Sequence, residues 1–135
     1  MSLAQSFADV LTARGLNHSG VEQMGEKEVV EFGMTTETTK VRVVSFFDGN
    51  TLATRIFAFS KVPENKFGDA LLACNALNDE YRFVKFYIDS DNEVVIAADD
   101  FLDEDSAGEE AMKVAITTVR IADEAYPKLQ RAIWA

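Results

Sequence analysis

The chain has 135 residues and 47% hydrophobic content, which excludes bulk disorder and leads us to expect one domain over residues 1–135 with a core of its own. It carries 23 Asp and Glu against 13 Lys and Arg, a formal net charge of −10. That charge repels phosphate backbones and anionic lipid, so neither nucleic acid nor a membrane surface is expected as a partner.

The first element is a helix over about residues 3–14. Ser2 and Gln5 have the spacing of a capping box, Leu3, Phe7, Val10 and Leu11 recur at helical intervals, and Gly15 supplies a stop. Three strands follow. In "EVVEFGMT", Val30, Phe32 and Met34 share one face and Glu31 and Gly33 the other. "KVRVVSFF" starts by alternating and then becomes apolar on both sides at Val44, Phe46 and Phe47. Asp48-Gly49-Asn50 marks a hairpin, because Gly and Asn tolerate positive φ. "TLATRIFAFS" returns with Leu52 and Ile56 on one face and Phe57 and Phe59 on the other. A sheet covered on one face should alternate cleanly. The excess of apolar residues implies that the second face is covered too, by another copy of the chain.

Pro63 opens a second helix whose stripe is Phe67, Ala70, Leu71, Cys74 and Leu77, ending at Asn78-Asp79-Glu80. "RFVKFYID" then sets Val84, Phe86 and Ile88 against Phe83, Lys85 and Tyr87, and "EVVIAAD" sets Val94, Ile96 and Ala98 together. Ser106 and Glu109 suggest a second capping box. The long helix that it opens buries Met112, Ala115, Val119, Ala122, Tyr126, Leu129 and Ile133, with a kink or restart at Pro127. The order is α-β-β-β-α-β-β-α, an α+β fold with an antiparallel five-stranded sheet.

Few residues point to chemistry. Asp89-Ser90-Asp91-Asn92-Glu93 could start a calcium loop, but Val94 stands where such a loop needs glycine, so the segment reads as a hairpin turn and no metal is expected. The acidic run from Asp99 to Glu110 offers a docking site for a basic peptide or a weak cation site, or simply a charge complement to a helix N-terminus. His18, the sole histidine, reads as an exposed loop residue, and Cys74, on an apolar stripe, as a small buried hydrophobe. One cysteine allows no internal disulfide, no apolar run approaches the ~20 residues of a membrane span, and "MSLAQSFADVLTARG" lacks the basic start of a secretory leader. A cytoplasmic protein is expected. Neither a G-x-G-x-x-G nor a P-loop occurs, so no nucleotide cofactor is implied. Asn75 and Asn78 lie three apart on one helical face: Asn78 is expected to cap the helix and Asn75 to tie it to a strand, or the two amides bind a ligand. Trp134 is expected to dock, on the first helix or on a partner chain.

The Asn75-x-x-Asn78 pair, the strand from Phe83 to Tyr87, the Asp-rich turn and the "DEAYPKL" segment from Asp123 to Leu129 resemble the YbjN-type family of bacterial sensory transduction regulators. The resemblance implies a fold similar to type III secretion chaperones, often dimeric, and a role in regulation or stress response. It brings no catalytic residues. The expected function is a non-enzymatic regulatory or chaperone-like module that binds another protein. A dedicated secretion chaperone is the alternative, and a small enzyme using Asp or Cys the remote one. A homodimer is expected, with Phe57, Phe59, Phe83 and Tyr87 near its interface.

Overall fold

A computed structural model describes residues 2–134. Helix α1 (Leu3–Ala13) begins where the Ser2 hydroxyl accepts the Gln5 N–H at 3.0 Å. The Gln5 side chain does not reciprocate; it turns forward to Asp9. The strands are β1 (Glu22–Met24), β2 (Lys27–Thr35), β3 (Lys40–Asp48), β4 (Thr51–Lys61), β5 (Lys85–Ile88) and β6 (Glu93–Phe101). A 3-10 turn over Glu64–Lys66 leads into α2 (Phe67–Glu80), and α3 (Ala107–Trp134) closes the chain.

The fold is α+β with an antiparallel sheet, as expected, but the sheet has six strands in the order β1-β2-β3-β4-β6-β5. The additional strand, β1, is three exposed residues hinged on β2 at Gly25, whose φ is +62°. It has no apolar alternation, so hydrophobic pattern could not reveal it.

All three helices lie over one face of the sheet. Phe7 and Leu11 of α1, Ala70, Cys74 and Leu77 of α2, and Met112, Ala115, Ala122, Leu129 and Ile133 of α3 seal Val30, Phe32, Val43, Leu52, Ile56, Phe86 and Ile96. Phe7 anchors this layer edge-on to Phe32 and tilted against Phe47, with ring centroids 6.1 and 5.8 Å apart. Helices α1 and α3 touch closely because Gly108 has no side chain: a Cβ there would sit 2.6 Å from the Ser6 carbonyl oxygen. Cross-strand neighbours Ser45 and Thr54 lie fully buried on this face, and among the described residues neither hydroxyl has a partner.

The start of α3 departs from the expected box. Ser106 bonds Glu110, not Glu109, at 2.7 Å, and Glu110 also accepts the Asp103 N–H at 3.0 Å. Glu109 instead pairs with Arg14 at 3.0 Å. The helix also runs through Pro127 for 28 residues without restarting. A proline deprives the carbonyl four residues back of its helical donor. That carbonyl belongs to Asp123, and the Thr38 hydroxyl donates to it at 2.6 Å.

Among the described residues, nothing covers the face opposite the helices. A register shift in β4 between Ile56 and Ser60, with Ala58 at φ +51°, redirects the strand there. Strict alternation would put Phe59 beside Phe57 on the bare face. The bulge instead turns Phe59 into the core, edge-on to Tyr126 at 5.5 Å.

Candidate functional site

The bare outer face is built from the odd-numbered residues of β2, β4 and β6 and the even-numbered residues of β3. Val29, Val44, Val95 and Ala97 form a floor that is already buried by its neighbours. Phe46 and Phe57 stand above it edge-to-face, 6.3 Å apart, with Phe57 46% exposed. Tyr87 of β5, paired with Val95, is 40% exposed. Arg55 crosses the middle of this surface and pairs with Asp99 at 2.6 Å, while Arg42 lies 3.6 Å from Glu31. This face thus combines an apolar floor, standing aromatic rings and paired charges; where such rings meet a partner, they dominate the energetics of protein interfaces.

The structure separates the residues singled out in the sequence. Phe57 and Tyr87 share the outer face. Phe59 does not belong with them, for the reason given above. Phe83 sits beyond the start of β5 with φ +75° and 76% exposed, under the Arg82 guanidinium at 5.3 Å. That turn in the backbone is why β5 starts at Lys85 and not at Arg82. Trp134 does not dock on α1; it stands 63% exposed at the end of α3.

The two asparagines also part. Asn75 is exposed on α2. Asn78 does the tying expected of Asn75: its Nδ2 donates to the Phe86 carbonyl at 3.1 Å and its Oδ1 accepts the Phe86 N–H at 2.6 Å. Phe86 is in the edge strand, so this one side chain satisfies a residue's outward backbone as a further strand would. The helix itself ends through Tyr81, whose N–H reaches Leu77.

The Asp123–Leu129 segment resolves into a second set of ties. The Asp123 carboxylate accepts the Thr38 N–H at 2.8 Å and its hydroxyl at 2.7 Å, holding the β2–β3 turn. Hydrogen bonds from the Thr38 side chain and backbone hold this carboxyl below the usual carboxylate range. Lys128 bonds Glu80 and Tyr81 at the end of α2, and those bonds raise its pKa above the ordinary lysine value. Beside Asp123, Met34, Ile116, Val119 and Arg120 line a shallow cavity of about 500 Å³.

The remaining chemical candidates are placed as follows. Asp89 organises the β5–β6 turn, its Oδ1 accepting the N–H groups of Asp91 and Glu93 at 2.9 and 3.1 Å, with Asn92 at φ +58°. The three carboxylates lie within 4.8 Å of one another, but Asp89 is already spent on the turn. Cys74 is buried in the core, and desolvation pushes its thiol up to about 11, so almost none is thiolate at neutral pH. His18 is half-buried rather than exposed. Its Nδ1 accepts the Gly20 N–H at 3.0 Å, which leaves Nε2 to donate to Thr12 at 2.8 Å, and the residue bridges to Phe32 at the β2 edge.

Among the described residues, no helix is long and apolar enough to cross a membrane. The comparisons with known proteins agree with the fold. Residues 4–131 match the model of the YbjN family, described as "putative bacterial sensory transduction regulator", and the chain belongs to that family. A solved structure that it resembles is the crystal structure of YbjN from E. coli, described as a putative transcription regulator. The TM-score is 0.55 at 12% identity, over 89% of this chain and 88% of that one. No curated protein matches the chain.

Proposed function

We propose that this protein is a regulatory module that acts by binding another protein, and that it is a homodimer joined through the outer face of its sheet. The observation that carries the reading is that face: Phe57 and Tyr87 stand in solvent over a floor of buried valines, with no helix above them. Soluble chains rarely leave a contiguous apolar surface bare without a use for it. The family's description as a regulator supports a role in control rather than turnover. So does the environment of Cys74, whose thiol is a poor nucleophile where it sits. The crystal structure that it resembles is described as that of "a putative transcription regulator". A chain of net charge −10 fits such a role through protein contacts better than through phosphate contacts.

The test is capture from the native host's lysate with the tagged wild-type chain and with a Phe57→Ser/Tyr87→Ser variant. The reading expects a stoichiometric protein partner held by the wild type. If that partner is an exported protein encoded beside the chain, the function is that of a secretion chaperone; otherwise it is regulation. A wild type that captures no protein under any growth or stress condition contradicts the module.

A further inference from the structure

The sheet edge formed by β5 and β6 is closed along one half and open along the other. Strand β5 pairs with β6 only from Lys85↔Ala97 to Ile88↔Val94, whereas β6 continues to Phe101 against β4. In an antiparallel pair, successive residues turn their backbone groups alternately toward and away from the partner. Phe86 turns its groups away from β6, where Asn78 takes them. Lys85 and Tyr87 therefore bond Ala97 and Val95, and by the same alternation Asp99 and Phe101 turn theirs toward the side that β5 has left. Phe101 loses its N–H to the Asp100 carboxylate at 2.8 Å. Among the described residues, no strand or loop takes the Asp99 N–H and C=O or the Phe101 C=O.

Two aromatic side chains flank this gap. Phe83 stands where β5 breaks off, 76% exposed, and Phe101 ends β6 at 75% exposed. The charge around the gap has one dominant sign. Asp99, Asp100, Asp103, Glu104 and Asp105 are all exposed; against them stand Arg55, which pairs with Asp99, Arg82, which lies over Phe83, and Lys85, which is paired with Ala97 at the end of β5. An extended peptide can add to an open edge through main-chain bonds while its side chains select by chemistry.

We propose that the Asp99–Phe101 edge of β6 binds an extended basic segment of another protein as an added strand, with its lysines or arginines against the aspartates and its apolar residues against Phe83 and Phe101. This rests on the protein-binding reading above and names the partner's chemistry.

The probe is a short synthetic peptide of alternating lysine and valine, titrated into the full chain while its backbone amides are followed by NMR. Two control peptides accompany it: one alternating glutamate and valine, and a lysine–valine peptide N-methylated at alternate residues. Saturable shifts centred on Asp99 and Phe101 are expected with the first peptide. The acidic peptide should give none. The N-methylated peptide, which keeps its charge but cannot donate along the edge, should bind at least about tenfold more weakly. The Phe101→Lys chain should bind the first peptide more weakly by a similar factor, about tenfold, because it adds a cation to the gap and removes a ring. Equal binding of the N-methylated peptide, shifts centred elsewhere, or no binding of the first peptide would overturn the proposal. A lysate partner still held by the Phe101→Lys chain would also overturn the edge, while leaving the binding module intact.

Discussion

On the inner face of the sheet, Val30, Phe32, Val43, Leu52 and Ile56 are sealed beneath α1 and α3, whereas on the outer face Phe57 and Tyr87 stand in water over Val44, Val95 and Ala97. Both faces carry a buried aliphatic layer, but only the inner one has a second layer pressed on it. On the inner face a lost side chain leaves a cavity. On the outer face, water or a partner fills its place. The inner face should therefore set stability, and the outer face association.

The largest effect that would sharpen this contrast is at Phe32. Phe32→Ala should cost about 3–5 kcal/mol in urea unfolding, because Phe7 and α1 cannot collapse fully into the gap; a cost under about 1 kcal/mol would break the assignment of stability to this face. Gly108→Ala probes the same layer from above. It forces a methyl into the Ser6 carbonyl and should cost about 1–3 kcal/mol, seen as a lower unfolding midpoint.

Asn78→Ala leaves the Phe86 N–H and C=O without their partner. It should cost about 1–3 kcal/mol and speed hydrogen exchange at the Phe86 amide. Asp123 gives a smaller, pH-dependent effect. Its pKa is depressed in the folded chain, so its contribution is complete above the unfolded-state pKa and is lost as pH falls through the folded value. Urea midpoints of the wild type and Asp123→Ala should differ at neutral pH and converge in acid. The smallest effect on stability belongs to the outer face: at chain concentrations low enough to dissociate the wild type, Phe57→Ser should change the unfolding free energy by no more than about 0.5 kcal/mol, the range of ordinary surface substitutions.

Much of this was legible in the sequence. The helices showed through apolar spacing, with α3 buried at Met112, Ala115, Val119, Ala122, Leu129 and Ile133 as read and Tyr126 half-buried, although Phe67 and Leu71 of the expected α2 stripe stand exposed; Asp48-Gly49-Asn50 marked its hairpin, with Gly49 at φ +58°. What escaped was set by backbone geometry rather than by hydrophobicity. The bulge at Ala58 moved Phe59 to the other face, and the left-handed Phe83 cut β5 short; neither alanine nor phenylalanine signals a positive φ. β1 escaped because all three of its residues are exposed. The asparagine pair showed as a mark, but which amide met the strand depended on the placement of α2 over β5. The ties of Asp123 to Thr38 span 85 residues, which no local pattern reports. Pro127 was the one available hint, since it frees the carbonyl that Thr38 uses.

The central claim is that the outer face exists to be covered. Light scattering of the wild type and of Phe57→Ser across micromolar concentrations tests it most directly. The account predicts a dimer for the wild type and a folded monomer for the variant. A wild type that stays monomeric throughout, or a variant that dimerises as well as the wild type, would contradict it.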